Sequence, residues 1–358
     1  MSGDPQTRRP IVYAEFADYD RATGGYVYNA RLCNELAGLG WSVNRLELPP
    51  GFPELSGAAS EEIARLLAAI PDGSIVMIDQ VCLGPIVELA LHQQTARLHW
   101  IEIFHHPMVH DLPHGSPAWT RVDQIERAAL DVPELIITSS ESTARTLLAD
   151  YSVPASMLVT APPGFERVQP NPARAGSGPI RLLSVGAIVP RKGYLALIEA
   201  LAGLPMTTDW SLHIVGNPDR DPGHAAAIAA QIVSIGLGDR VRLMGKLSDN
   251  DLAREWAAAD LYVSASEHEG FGMAVGEAVM RGLPVVTTSA GAVGDWLGRD
   301  CAIVLPNGDV AALRTAIAAL IEQPERRVAM RRAALVASAA LPTWPASASI
   351  VSEALAAR

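Results

Sequence analysis

The chain has 358 residues, 49% of them hydrophobic and 19% charged, with a formal net charge of −11 at pH 7. That length accommodates two domains, each with its own core, and excludes a small scaffold that needs disulfides or a metal to hold it. The acidic balance excludes a general nucleic-acid binder, which needs surplus Lys and Arg to displace counterions; a local cation or helix N-terminus can still build a pocket for a small anion.

The cysteines Cys33, Cys82 and Cys301 are odd in number and widely spaced. They form neither a disulfide framework nor a zinc pattern, and a reducing compartment is expected. The stretch Met1 to Pro10 is polar and has no apolar core of the secretory kind, and no apolar run is long enough to cross a bilayer. A soluble, cytoplasmic protein is expected, with peripheral membrane contact left open.

The first half alternates strands and helices. Candidate strands are Ile11 to Ala14, Val43 to Leu48, Ile75 to Ile78, Leu98 to Phe104 and Leu135 to Thr138. Tyr26 to Leu39 is a helix with Tyr28, Leu32, Leu36 and Leu39 on one face, ended by Gly40. Such repetition implies a parallel sheet covered on both faces. The loop Phe16 to Gly25 closes on Gly24-Gly25. Loops at the carboxyl ends of parallel strands face the ligand crevice, although paired glycines also serve as a plain flexible turn.

Leu98 to Phe104 runs into His105-His106-Pro107, with His110 and His114 beyond. Pro107 and Pro113 break any helix that would array these histidines as metal ligands, and no carboxylate or cysteine set completes a site. A single histidine at the strand end fits better as a hydrogen-bonding group in the crevice. After a helix Ser142 to Ala149, the segment Tyr151 to Pro172 changes character. The mixture of Pro, Gly and Arg that continues to Pro179 is expected to be an irregular interdomain linker.

The second half restarts the pattern with a strand Ile180 to Val185, a loop Gly186 to Gly193 and a helix Tyr194 to Leu201. The loop lacks the Gly-Lys-Ser/Thr ending of a P-loop. Its value is cationic: Arg191 and Lys192 can neutralise a diphosphate leaving group, the alternative being a solvated basic pair. Then come the strand Ser211 to Val215, the loop from Gly216, a helix from about His224, the strand Val241 to Met244, and a helix Asn250 to Ala258 capped by Ser248.

Asp260 to Ser264 reads as a buried strand and Met273 to Met280 as a helix. Between them Gly270 and Gly272 permit a sharp turn and close backbone approach, and the first helical N–H groups point at whatever lies there. Glu269 and Glu277 frame the turn with seven residues between them. Carboxylates repel phosphate but bind hydroxyls, so a ligand with central phosphates and polyhydroxylated ends fits, as in a nucleotide diphosphate sugar. An acidic first turn that merely complements the helix dipole is the alternative. Val285 to Thr288 is a further strand, Ser289 to Ala292 a small-residue turn, and the last helix holds Trp344 to Leu355.

The E-x7-E pattern from Glu269 through Gly270-Phe271-Gly272 to Glu277, followed by Arg281-Gly282-Leu283-Pro284-Val285-Val286, resembles the retaining GT-B glycosyltransferases of family 4. The resemblance implies an α/β fold of GT-B architecture, with two Rossmann-like domains whose parallel sheets face across a cleft. Residues 1–170 would form the acceptor-side domain, 171–340 the nucleotide-sugar domain, and 341–358 a C-terminal helix crossing back to the first, with Trp344 a packing residue.

The resemblance also implies roles. Lys192, Arg191 and the helix N-terminus after Gly272 would stabilise the leaving diphosphate, Glu269 and His105 would hold the transferred sugar, and Glu277 the ribose. Further substrate contacts would come from Gly24, Gly25, His106, Gly216, Met244, Gly270, Phe271, Gly272, Met273 and Ala274. Ala187 departs from the pattern, since family members often carry arginine there; Arg191 is the substitute at hand.

The implied activity is transfer of a sugar from a nucleotide diphosphate donor, such as a UDP- or GDP-sugar, to a hydroxyl of a glycan, lipid or small molecule. No cofactor, nucleic-acid partner or obligatory metal is expected. A sugar-nucleotide epimerase and a binding subunit without turnover are the competing readings.

Overall fold

The computed structural model describes residues 9–18, 23–50, 55–95, 97–171, 178–205 and 207–358. Residues 1–8, residues 19–22 of the loop before Gly24 and residues 172–177 of the expected linker lie outside the described residues. The chain divides into two compact units, Met1–Gly164 with Pro342–Arg358, and Phe165–Leu341.

The first unit runs β1 (Ile11–Phe16), α1 (Gly24–Gly38), β2 (Val43–Leu48), α2 (Gly57–Ala68), β3 (Ile75–Asp79), α3 (Gln80–Glu88), β4 (His99–Phe104), α4 (Pro117–Ala129), β5 (Leu135–Thr138), α5 (Glu141–Asp150) and β6 (Leu158–Thr160). Among the described residues its six strands pair in parallel in the order β2-β1-β3-β4-β5-β6. Composition explains the placement. The inner strands β3 and β5, Ile-Val-Met-Ile-Asp and Leu-Ile-Ile-Thr, are buried at every position, whereas β2, at the sheet edge, exposes Asn44, Arg45 and Glu47.

Thr23 caps α1 by accepting from the Tyr26 N–H at 3.2 Å, and Tyr28, Leu32 and Leu36 are buried along one face. Leu39, expected on that face, is instead 38% exposed. The helix ends at Gly38, so Leu39 has left the helical repeat before Gly40 turns the chain at φ 87°. A second difference lies at Leu158–Thr160, expected to be irregular: it hydrogen-bonds to β5, pairing Ile136 with Leu158 and Thr138 with Thr160. Three β-compatible residues suffice there because the exposed edge of β5 supplies the ladder.

The second unit runs β7 (Ile180–Val185), α6 (Tyr194–Ala202), β8 (Trp210–Val215), α7 (Pro222–Ser234), β9 (Val241–Gly245), α8 (Asp249–Ala258), β10 (Leu261–Val263), α9 (Met273–Met280), β11 (Val285–Thr288), α10 (Val293–Trp296), β12 (Ala302–Leu305), α11 (Val310–Glu322) and α12 (Pro324–Ser338). Its strands are again parallel, in the order β12-β11-β10-β7-β8-β9. One core lies under Leu197, Ile198, Leu212, Ile214, Ile317 and Leu320, and another under Trp256, Tyr262, Val275, Val279 and Val285. The helices α2, α3, α4, α10, α11 and α12 and the strand β12 have no counterpart among the expected elements.

The last helix, α13 (Trp344–Ala356), belongs to the first unit. Trp344 is 6% exposed and its ring lies 5.9 Å from that of Tyr28 in α1. Trp41 Nε1 donates to Ser352 Oγ at 2.9 Å. A Cβ on Gly164 would overlap the Trp344 backbone nitrogen, so glycine lets the two segments cross in contact.

Candidate active site

In the second unit the strand order reverses between β7 and β10, which run side by side with Leu182 opposite Leu261. Such a reversal sends the two following helices to opposite faces and opens the sheet at the carboxyl ends of those strands. The loops there are Gly186–Gly193 and Ser264–Gly272, and they are stapled together. The Glu267 N–H donates to the Arg191 carbonyl at 2.7 Å, and Arg191 Nη1 donates to the His268 carbonyl at 3.1 Å.

That stapling presents Lys192 to Glu269, Nζ to Oε1 at 2.6 Å, with each side chain 13% exposed. Ser266 Oγ donates to the same oxygen at 2.7 Å and is itself 3.0 Å from Ser264 Oγ. Burial opposes ionisation of Glu269, but the charges of Lys192 and Arg191 and the bonds from Lys192 and Ser266 outweigh it and hold its pKa down at about 2. The lysine stem crosses Gly186, where a Cβ would come within 3.2 Å of Lys192 Cε. Gly193 sits at φ 66° with the Ala265 carbonyl in the space a Cβ would take, and the Ala292 N–H donates to the Glu269 carbonyl at 3.1 Å. Three loops thus meet at Glu269, two of them at its carboxylate and the third at its backbone carbonyl.

Gly272, at φ 89°, starts α9, whose first N–H groups lack intrahelical acceptors at the same edge. Phe271 is turned inward: its ring stacks on Trp296 at 5.1 Å, and its carbonyl accepts from Trp296 Nε1 at 2.8 Å. Its ring is therefore not available to a ligand. Met273 and Ala274 are half-buried on the first turn. Glu277, a turn further on, is 38% exposed and 3.9 Å from Arg281 Nη1; burial pushes its carboxyl up, offset in part by Arg281. Gly216 and Met244 lie at the carboxyl ends of β8 and β9, and the Gly216 N–H donates to the Gly245 carbonyl at 3.1 Å.

The first unit has its own reversal, between β1 and β3. Gly24 and Gly25 open α1 after β1, Asp79 and Gln80 stand where β3 passes into α3, and His105 and His106 follow β4. His105 Nε2 is 3.1 Å from both Asp79 Oδ2 and Asn29 Oδ1, and Asn29 Nδ2 donates to Asp79 Oδ2 at 2.6 Å. Facing two acceptors, Nε2 is the nitrogen that carries hydrogen. Burial opposes the charge on Asp79, yet the His105 ring, the Val81 N–H and the Asn29 amide hold its carboxyl below the ordinary range. Tyr28 meets the His105 ring edge to face at 5.4 Å, and a Cβ on Gly25 would come within 3.0 Å of that ring.

Among the described residues, no group of three or more His, Cys, Asp or Glu is arranged to hold a metal ion. The histidines after β4 diverge: His105 turns to Asp79, His106 lies 3.8 Å from Asp111, and His114 packs on Trp119. No helix among the described residues is long and apolar enough to cross a membrane. Sequence reasoning did not identify Ser266, Asn29, Asp79 or Gln80. The one local signal was polar residues, Asp79-Gln80 and Ser264 with Ser266, directly after buried strands.

The family described as "Glycosyl transferases group 1" matches residues 166–335, the bulk of the second unit. Over 292 residues the chain is 30% identical to MMP alpha-(1->4)-mannosyltransferase of Mycolicibacterium hassiacum, covering 76% of this chain and 68% of that protein. Sucrose-phosphate synthase from Thermosynechococcus elongatus superposes with a TM-score of 0.80 at 21% identity, over 98% of this chain and 100% of that one. Anabaena HepE, solved in complex with UDP-glucose, superposes with a TM-score of 0.76 at 17% identity, over 98% and 100%. These two structures share the fold, two parallel α/β units of GT-B type. With a relative that similar over more than two thirds of both chains, and the group 1 match lying on the unit that carries Lys192 and Glu269, the chain belongs to the glycosyl transferases group 1 family.

Proposed function

We propose that this glycosyltransferase moves a sugar, with retention of anomeric configuration and without an obligatory metal, from a nucleotide diphosphate donor to an acceptor hydroxyl. The observation that carries the reading is the Lys192–Glu269 pair beside the N-terminus of α9. A cation and a row of unpaired helix N–H groups suit a diphosphate, and an ionised carboxylate suits sugar hydroxyls. Relatives named as a mannosyltransferase and as a UDP-glucose complex favour a hexose donor of this type.

The bond from the anomeric carbon to the diphosphate breaks with its electron pair going to phosphate oxygen. The acceptor oxygen then bonds that carbon from the same face, and its proton passes to the departing diphosphate. The protein's part is electrostatic and positional. Lys192 and the α9 N–H groups stabilise the leaving group, Glu269 orients the sugar, and Glu277 holds the ribose. Arg191, engaged with the His268 carbonyl, braces its own loop and is the arginine at hand where position 187 is alanine. In the first unit, Gly24 and Gly25 are assigned to contact with the sugar nucleotide and the acceptor, and His106 is the second choice after His105 for the transferred sugar. His105 offers Nδ1 to a sugar hydroxyl, since Nε2 is held by Asp79 and Asn29.

The test is a panel of UDP-glucose, GDP-mannose and related donors with candidate acceptors, read by release of nucleoside diphosphate and by NMR of the product anomer, with and without EDTA. Release with an α-configured product from an α-configured donor is expected. An inverted product, epimerised donor, or loss of activity to EDTA would overturn the corresponding part of the proposal.

A further inference from the structure

Phe104 is the last residue of β4, and the flanking strands stop beside it: Asp79 of β3 pairs with Ile103, and Thr138 of β5 pairs with Phe104. The N–H groups of His105 and His106 therefore leave the ladder with no strand to receive them. A buried amide takes the strand's place. Gln80, 5% exposed, accepts from the His105 N–H at 2.6 Å and the His106 N–H at 3.3 Å through Oε1. Its Nε2 donates to the His106 carbonyl at 2.6 Å and to Glu126 Oε1 at 3.3 Å. The full capacity of the amide is used, and flipping it would set donors against donors. Glu126 Oε1 also accepts from the Met108 N–H at 2.7 Å, and Thr143 Oγ1 donates to the His105 carbonyl at 3.1 Å. Two consecutive residues thus grip one histidine, Asp79 by the ring and Gln80 by the backbone.

We propose that Gln80 is a positioning residue for glycosyl transfer, fixing the backbone at His105 and His106 so that the His105 ring presents Nδ1 to substrate. The proposal rests on the reading that His105 touches the sugar or the acceptor. An ordinary strand end frays into solvent, whereas this one is held from a neighbouring element by a side chain that no longer reaches water. A misplacement of about 1 Å at such a group costs on the order of a hundredfold in rate.

Gln80→Leu keeps the volume and removes all four hydrogen bonds. It is expected to lower kcat by about thirtyfold or more with little change in donor KM, using whichever of UDP-glucose or GDP-mannose the wild type turns over. Hydrogen exchange of the segment 103–110 should quicken at least about tenfold, while exchange around Glu269 stays as in the wild type. Gln80→Glu keeps the acceptor oxygen but faces the His106 carbonyl and Glu126 with a second oxygen, which can donate only when protonated. The charged and titratable groups around it are Asp79, Glu126, His105 and His106, with Glu102 of β4 near Glu126 and Asp79, Asp111 beside His106, and Tyr151 and Asp123 beside Glu126. Its kcat relative to wild type should therefore climb as the pH is lowered from 8 to 6.

A folded Gln80→Leu protein with wild-type kcat would overturn the proposal, as would a kcat that falls only with the folded fraction. If that variant does not fold, a Gln80→Glu to wild-type ratio independent of pH overturns it. His105→Ala, run alongside, separates the two layers. Loss of turnover in His105→Ala but not in Gln80→Leu removes the role of Gln80 alone, and loss in neither removes the reading of His105.

Discussion

Lys192 Nζ and Glu269 Oε1, 2.6 Å apart, join the loops that follow β7 and β10, and Ser266 closes on the same oxygen. The cation proposed for a leaving group and the carboxylate proposed for a sugar are thus direct partners.

Lys192→Ala is expected to lower kcat by roughly two orders of magnitude, the scale for one preorganised electrostatic contact. It also strips the partner from a mostly buried carboxylate, so a stability loss of about 2 kcal/mol or more accompanies it. Steady-state kinetics and urea unfolding on the same preparation check both effects, and wild-type turnover in a folded variant would remove Lys192 from the mechanism.

Glu269→Gln and Glu277→Ala should separate kinetically. Contacts to the transferred sugar tighten as it distorts, so Glu269→Gln lowers kcat by about tenfold or more. Ribose contacts are the same in ground and transition states, so Glu277→Ala raises donor KM with kcat nearly intact. Its stability cost should be under about 1 kcal/mol, because the Arg281 contact is long, at 3.9 Å, and the Glu277 side chain is 38% exposed. The opposite ordering would mean that the two assignments are exchanged.

Glu126 sets a pH dependence of stability. Burial pushes its carboxyl up to about 7, offset in part by the Met108 N–H, and Glu102, buried in β4, shifts in the same direction through burial and the nearby Glu126 and Asp79. The folded state therefore binds more protons than the unfolded chain between about pH 4.5 and 7, and stability falls as the pH rises through that window. Glu126 alone accounts for about 3 kcal/mol of this slope. Urea midpoints of wild type and Glu126→Gln from pH 5 to 8 should diverge in slope, the variant being the flatter. Glu269 acts oppositely, its contribution being present above about pH 4.5 and lost as the pH falls toward 2.

Gly25→Ala and Gly193→Ala are predicted to fail in different ways. Gly193 lies at φ 66° with the Ala265 carbonyl where the methyl would go, so alanine costs about 2 kcal/mol or more in folding. The three atoms nearest a methyl at Gly25 all belong to the His105 ring, at 3.0 Å from Cδ2, so the ring, and not helix backbone, has to shift against its Asp79 and Asn29 contacts. Near-wild-type thermal stability with turnover reduced about tenfold is expected for Gly25→Ala. A large drop in melting temperature would show that the contact supports the fold rather than the position of His105.

What the sequence determined by itself was local. Strand-compatible runs located Val43–Leu48, Leu135–Thr138, Ile180–Val185 and Val285–Thr288 at their observed bounds: the last three are largely hydrophobic stretches ended by Ser or Gly, and the mixed edge strand Val43–Leu48 is ended by Pro49-Pro50. Met273–Met280 was equally legible from Gly272 before it and Arg281-Gly282 after it. Leu158–Thr160 was not, since a three-residue strand exists only because β5 offers it an edge.

The site divides along the same line. Glycines and charges beside strand ends marked Lys192, Glu269 and His105 as candidates, because those residue types stand out against apolar strands. Which groups they meet was decided by strand order. Lys192 and Glu269 are 77 residues apart, and His105 is 76 from Asn29 and 26 from Asp79. The reversals at β7/β10 and β1/β3 bring these loops together, and no local pattern encodes which parallel strands become neighbours. Gln80 and Ser266 were silent for the same reason: a buried amide or hydroxyl acquires its role from the unpaired donors and acceptors that folding places around it.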